Sequence, residues 1–499
     1  MKQTYLTMLR SWTKMVLAAV VATMMGACAV DGFDADERFS SDVTGQTLAS
    51  PVADSITFTA NADGSKTTIK WPLVYGAGGF LCSVYDVSDE ANPVAIVADS
   101  IIDGYTMVVS RTEDTNYELH IKTLGNAKLN NTDASETTVV AFNSFTPAWN
   151  IVPDGTDLYA WLQENPVPDS SDDIAIDLVE GGHYTLSSSV DFLGTPVTLR
   201  TTSKKNRATI TMGANASLQT YNGLTLKNLV FDCSQSTDPL ILLSATPSES
   251  IKNLKATAGY YYITKSMVIT NCLIDNLGDE VLDNNKVQYC IENFLVDNSV
   301  FHFNTASTMS SSTYFNMYNS GGCINSFTAR SSTFYNTSES QMKYFIRYNN
   351  SGGPKRTGYS MAYVALQQCT FWNIVPGNQI CNYDGLRNSN MVTFTLDRNI
   401  IANTGSKQFV RRYIAGGTWS GAGIKNFSQN TYVFDGADAW TMPDLATPTT
   451  WTGEASYDQS GTILSGDPGF KDAANGDFTV TGSAQLSARS GDPRWLPEQ

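Results

Sequence analysis

The cations that could meet an anionic ligand are gathered in one stretch of this acidic chain. Arg347 and Arg411 hold one position of a phrase that recurs as FNMYNSGG from Phe315, FIRYNNSGG from Phe345 and FVRRYIAGG from Phe409, with Ile380-Cys-Asn-Tyr-Asp a partial copy. Tyr348, Tyr383 and Arg412 hold the next position, and Lys343, Lys355, Arg356, Arg387 and Lys407 are close in sequence. If each copy is a strand of a stacked sheet, the copies stand about 4.8 Å apart. Their guanidinium groups would then meet successive carboxylates of an extended polymer through paired hydrogen bonds. Trp372, following an apolar anchor, and Trp419, in a long loop with Trp440 and Trp451 beyond it, offer aromatic faces of the kind that pack on the C–H face of a sugar ring. The residues leave an alternative open: the arginines pair with Asp384 and Asp397 or cover apolar surface with their stems. Strand alternation also leaves open whether the Arg or the Tyr column faces water, although a charged column should.

A second group is acidic. Asp275, Asp279, Glu280 and Asp283 fall within one turn. Their number would suit calcium at Asp275, Asp279 and Asp283, but their spacing is not diagnostic and Asp and Asn are ordinary turn residues, so solvated turns are the expectation. No other cofactor is called for. His120, His183 and His302 show no ligand spacing and are expected to be structural. Besides Cys28 there are seven cysteines, an odd number that cannot pair completely. Cys272 and Cys369 repeat at one position, which points to interior packing rather than to disulfides or nucleophiles.

What must position these residues is a solenoid. A short phrase recurs seven times: NLVFDC from Asn228, NCLIDN from Asn271, NSVFHF from Asn298, SSTFYN from Ser331, QCTFWN from Gln368, RNIIAN from Arg398 and QNTYVF from Gln429. Its anchors Phe231, Ile274, Phe301, Phe334, Phe371, Ile401 and Tyr432 are placed to stack rung on rung. Two repeats out of phase imply at least two sheets, with coils of about thirty residues and nine to ten coils in all. Before the solenoid, residues 51–146 alternate apolar and polar with frequent turn signals, as in a β-sandwich of seven strands. Thr156 or Asp157 is placed to cap a short helix covering the first rung.

Length 499 allows two or three domains, and a net charge of −16 excludes nucleic acid as a partner. Lys2, Arg10 and Lys14 precede an apolar run from Met15 to Ala27, too short to span a membrane as a helix, and Gly26-Ala27 sit ahead of Cys28. The predicted organisation is a signal peptide over 1–27, a flexible acidic tether over 28–50, the sandwich over 51–146 and the solenoid over 147–499.

Several of these features resemble known families. Gly26-Ala27-Cys28 is similar to a bacterial lipobox, which implies lipidation of Cys28 and an outer-membrane, surface-exposed location. Trp71 and the Tyr117-Glu-Leu-His-Ile strand resemble fibronectin type III domains. Leu178-Val-Glu-Gly-Gly-His-Tyr-Thr-Leu and Asp467-Pro-Gly-Phe resemble pectate-lyase-like right-handed parallel β-helices, and Gly491-Asp-Pro-Arg-Trp looks like the ending of a lipoprotein family from Bacteroidetes polysaccharide utilisation loci. Together they imply an all-β lipoprotein, anchored to the membrane by its lipid, that handles a plant glycan beside an outer-membrane importer and degrading enzymes. The reading that follows is a binder of pectin or homogalacturonan through Arg347, Tyr348, Tyr383, Arg387, Arg411, Arg412, Trp372 and Trp419. Its rivals are a polysaccharide lyase with Arg347, Arg411 or Lys343 as base and a structural lipoprotein without a glycan site.

Overall fold

The computed structural model describes residues 43–60, 66–88, 92–112, 115–145, 147–348, 353–383, 386, 390–406, 409–414, 423–433 and 458–497. The signal region, Cys28, the tether to residue 42, Asp384, Arg387, Lys407, Trp419, Trp440 and Trp451 lie outside them. Two units follow one another, Met1–Phe145 and Thr146–Gln499.

The first unit carries a three-stranded and a four-stranded antiparallel sheet. Ile69, Met107 and Val109 of one sheet share a core with Phe80, Cys82, Val84, Leu119 and Ile121 of the other. Trp71 is buried in that core, edge-on to Phe80. The Tyr117 hydroxyl accepts from Thr112 N at 2.7 Å and donates to Thr112 O at 3.2 Å, tying a corner of the strand.

The second unit is a right-handed parallel β-helix. The coils pass through sheet I (Ile174–Leu178 in the first coil, Ile424–Ser428 in the last), sheet II (His183–Leu186 to Thr431–Val433) and, in the first seven, sheet III (Val190–Asp191 to Cys381–Tyr383). Among the described residues sheet II has nine strands and sheet III seven. The helix Leu158–Glu164 precedes the first coil, with Asp157 as its N-cap accepting from Tyr159 N.

The seven phrases are the last seven of the nine rungs of sheet II. Phe231, Ile274, Phe301, Phe334, Phe371, Ile401 and Tyr432 are consecutive register partners, all buried. Phe301, Phe334 and Phe371 stack with centroids 5.0 Å apart, the strand spacing itself. The first residue of every phrase has positive φ: Asn228, Asn271, Asn298, Ser331, Gln368, Arg398 and Gln429, between 44° and 56°. This left-handed residue turns the chain from sheet I into sheet II, and Asn tolerates that conformation better than other non-glycine residues. Side-chain amides join the corners: Asn271 Nδ2 donates to Asn228 Oδ1 at 2.9 Å, and Arg494 Nη2 donates to Asn298 Oδ1 at 2.9 Å.

The second residue of each phrase points inward. Ser299 Oγ accepts from Cys272 N, Ser332 Oγ from Ser299 N, and Asn399 Oδ1 from Cys369 N, so the buried polar column is satisfied coil to coil. Cys272 and Cys369 are fully buried packing residues, and all seven described cysteines are free of disulfides. Burial pushes the Cys272 thiol up to about 12, outside the range of a ready nucleophile.

Phe334→Ala should destabilise the β-helix by about 3–5 kcal/mol, because it leaves a hole between two stacked rings, read as a fall in the denaturation midpoint of that unit. Asn271→Gly keeps the left-handed turn but takes the donor from buried Asn228 Oδ1, costing about 1 kcal/mol, whereas Asn271→Val, a β-branched residue at positive φ, should cost about 1–3 kcal/mol more in the same measurement.

Candidate functional site

Outward residues of sheet III form one row, a coil per step. Register partners run Asp191, Gln219, Leu242, Asp283, Asn316, Arg347 and Asn382. Arg347 is half-buried, while the neighbouring column Met317, Tyr348 and Tyr383 is buried. The charged column therefore faces outward, and Tyr348 and Tyr383, expected as ligand contacts, are core residues instead. Their hydroxyls lie too deep to meet a polymer, and burial holds both well above the usual tyrosine range.

The repeat misplaced one residue. Phe315 pairs with Ile346, not Phe345, and Asn316 pairs with Arg347. Tyr318 is thereby freed from the interior column, and its ring centroid lies 3.3 Å from the Arg347 guanidinium carbon, with Tyr344 at 4.8 Å. Two aromatic faces hold the guanidinium plane by cation–π contact. Arg347 Nε is buried without a hydrogen-bond partner among the described residues, so the orientation comes from the rings. Lys343 is exposed beside them, its Nζ 5.7 Å from the Tyr344 ring.

Arg411 does not join Arg347. FVRRY forms a short helix, Phe409–Tyr413, where the eighth coil would enter sheet III. Phe409, Val410 and Tyr413 pack inward with helical spacing, and Tyr413 Oη donates to Val364 O and Thr395 O. Arg411 is only 2% exposed and cannot meet a polymer, and Arg412 is half-buried on the same helix rather than on a strand.

Carboxylates share the row with Arg347. Asn316 Nδ2 donates to Asp283 Oδ2 at 2.8 Å and to Glu280 Oε1 at 3.2 Å, while Asp279 Oδ1 accepts from Glu280 N at 2.6 Å. Burial raises Asp279 to about 6, and burial followed by the charges of Asp283 and Asp279 raises Glu280 to about 8. Asp283 is raised too, chiefly by burial.

Asp275, the remaining calcium candidate, faces another way. It lies on sheet II, where its Oδ1 bonds His302 Nδ1 at 2.6 Å. His302 Nε2 meets Thr337 Oγ1 at 2.8 Å, and the imidazole stacks on Tyr335 at 4.6 Å, so both ring nitrogens are used locally. Among the described residues no three or more His, Cys, Asp or Glu side chains converge so as to hold a metal ion. The turn thus divides its acids between two sheets, and calcium does not fit Asp275, Asp279 and Asp283 as a set.

Trp372 does follow the Phe371 anchor outward, but the C-terminal segment covers it. Phe478 is buried against Trp372 (6.2 Å), Tyr335 (5.1 Å) and Trp495 (5.8 Å). Gly491, at φ 93°, brings this segment onto the sheet, where its N–H donates to Arg398 O at 2.7 Å. Asp492 accepts from Thr333 Oγ1 at 2.7 Å. The residues around Arg347 that sequence reasoning missed, Asn316 and Tyr318, carry no distinctive signal in the sequence; only the register picks them out.

Three family models of unknown function match in series: DUF4992 over residues 1–182, DUF4957 over 182–337 and DUF5123 over 364–495. No curated protein matches the chain. Among solved structures, pectate lyase PelI from Erwinia chrysanthemi in complex with tetragalacturonic acid is 13% identical, with 68% of this chain and 89% of that chain covered and a TM-score of 0.22. A pectate lyase from Pectobacterium carotovorum is 12% identical over the same shares, with a TM-score of 0.16. Scores of this size add nothing to the fold already evident from the strand order.

Glu280 supplies a stability test. Its proton is held more tightly in the folded chain than in the unfolded one, so its contribution is full below the pH where a free glutamate ionises and is lost as pH rises through about 8. Glu280→Gln should therefore raise the β-helix melting temperature relative to wild type at pH 8 to 9, with the gain vanishing near pH 4.

Proposed function

We propose that this protein is a cell-surface lipoprotein that binds an acidic, pectin-like polysaccharide along the outward row of sheet III. The observation that carries the reading is Arg347, a guanidinium held flat by Tyr318 and Tyr344 on the outward side of a regular sheet. A uronate carboxylate suits that fork through paired hydrogen bonds. Asn382, one coil beyond and half-buried, suits a hydroxyl of the neighbouring sugar, while the buried Asn316 is held by Asp283 and Glu280. The rest of the row is acidic or neutral, which favours a polymer whose charge is met at one subsite.

Beyond the site, the reading takes Cys28 as the lipidated residue and residues 28–50 as the tether. The sandwich is taken as a fibronectin type III-like spacer, and an outer-membrane importer and degrading enzymes as partners. Cys28→Ser should release the protein from the membrane fraction of the expressing cell; retention of the variant in that fraction would rule the anchor out.

A second reading, β-elimination of a uronate polymer, is favoured by the placement of Asp283 and Arg347 on one face, two coils apart. In it Arg347, acting as neutral guanidine, takes the proton beside the substrate carboxylate, the C–O bond on the adjacent carbon breaks with its electron pair to leave the double bond, and the departing sugar oxygen takes a proton from water; Lys343 is near, and Arg411 has no part because it is buried. Absorbance near that of unsaturated uronate products, followed with and without added calcium, separates the readings: growth in wild type but not in Arg347→Ala marks a lyase, and none at all marks a binder.

Binding itself is tested by affinity electrophoresis and calorimetry on oligogalacturonate. Loss of a charge-assisted pair of about 1.5–3 kcal/mol predicts a ten- to hundredfold weaker Kd for Arg347→Ala. Arg411→Ala should lower stability instead, without a comparable loss in the fraction that stays folded. Protonation of the buried Glu280 and Asp279 removes negative charge beside Asp283 of the row, so binding should tighten as pH falls from 8 to 6, and Glu280→Gln should flatten that dependence. No retardation by any pectic glycan would sink the proposal.

A further inference from the structure

The outward row of sheet III begins in a cavity. About 400 Å³ of space opens beside the first coil, between the cap helix and the segment after it on one side and the turn following Val190–Asp191 on the other. That volume is in the range of small-molecule sites. Leu162, Val167 and Phe192 give it an apolar floor, Tyr221 gives it an aromatic wall, and Asp169 and Asp191 give it polar edges.

The walls are built rather than incidental. Asp191, the first member of the row, has its Oδ1 held by Leu193 N at 2.8 Å and Ser244 Oγ at 2.7 Å. Tyr221 N donates to Leu193 O at 3.0 Å, and Asn222 Nδ2 donates to Gly194 O at 2.7 Å. A Cβ on residue 194 would lie 2.8 Å from the Tyr221 ring, so Gly194 is what lets the ring seat against the turn. Thr195 Oγ1 donates to Pro168 O at 3.0 Å and fastens the segment after the cap helix to the same turn.

We infer that this cavity is a terminal subsite that receives a neutral end sugar of the glycan bound along sheet III. The inference rests on the proposed function for the direction of the chain, but the cavity has its own chemistry. Its two carboxylates, with no Lys, Arg or His among the lining residues, disfavour a uronate and accept hydrogen bonds from neutral hydroxyls. A tyrosine face beside them is the usual partner of a sugar C–H face. Val190–Asp191 is the first strand of sheet III, so the row has no rung beyond Asp191 on which a linear chain could continue. From Asp191 to Arg347 the row climbs five coils, about 24 Å at about 4.8 Å per strand. The preferred ligand is then a short glycan that is neutral at one end and carries a uronate several sugars away.

The test uses the full chain and three neutral monosaccharides, galactose, rhamnose and arabinose, in saturation-transfer NMR at millimolar concentration. Transfer to at least one of them is expected, kept in Arg347→Ala and Tyr221→Phe and lost in Tyr221→Ala. Asp191→Asn should weaken the same sugar, and a near-UV spectrum matching wild type shows that each variant is folded. In parallel, an oligogalacturonate capped with that sugar should bind about tenfold more weakly to Tyr221→Ala, while uncapped oligogalacturonate should not distinguish the variant from wild type. Absence of transfer from all three sugars, or transfer indifferent to Tyr221→Ala, overturns the subsite. If uncapped oligogalacturonate also binds regardless of Arg347, the row reading fails separately.

Discussion

A single left-handed residue at the head of each rung is the constraint on which the rest of the β-helix depends. Seven corners adopt it, from Asn228 to Gln429, and each turns sheet I into sheet II at the same point of the coil. Because the turns coincide, the anchors after them fall into register and their rings stack at strand spacing. The same corners carry two ladders, amides outside and Ser, Cys or Asn inside, so a bend in the polar backbone can be buried without orphaned donors. The C-terminal segment reads these corners as a template, with Gly491 bonded to Arg398 O and Arg494 to Asn298.

Register propagates to sheet III, where it decides what the outer surface can do. It brings Asp283, Asn316 and Arg347 into one row and places Tyr318 beneath a guanidinium instead of in the core. Burial raises the affinity of Asp279, Glu280 and Asp283 for protons, and neighbouring carboxylates add to it at Asp279 and Glu280. Acidic side chains that would be solvated in an isolated turn become groups that respond to pH. An arginine and carboxylates of raised proton affinity thus lie close together on sheet III.

The sheet II columns were legible because their signal is redundant: seven copies with one anchor position leave a single alignment, and strand and stack agree. The sheet III repeat was less so. FNMYN and FIRYN align by their Phe residues on paper, whereas backbone pairing shifts them by one. FVRRY matches the same pattern, but five residues fit a strand or a helical turn equally well. Position in the coil stack settled the helix and buried Arg411. Trp372 was placed on the correct side of its strand, yet Phe478, more than a hundred residues later in the chain, covers it.

The amino-acid sequence by itself determined the β-helix, the interior Cys and Phe columns and the concentration of basic groups, because each is written as a local pattern repeated along the chain. Tertiary structure alone decided which arginine faces outward, that the acids of one turn divide between two sheets, and that a cavity opens where the row begins. Those outcomes depend on pairing register and on contacts between segments far apart in sequence, and a side chain's exposure is a property of its neighbours rather than of its type.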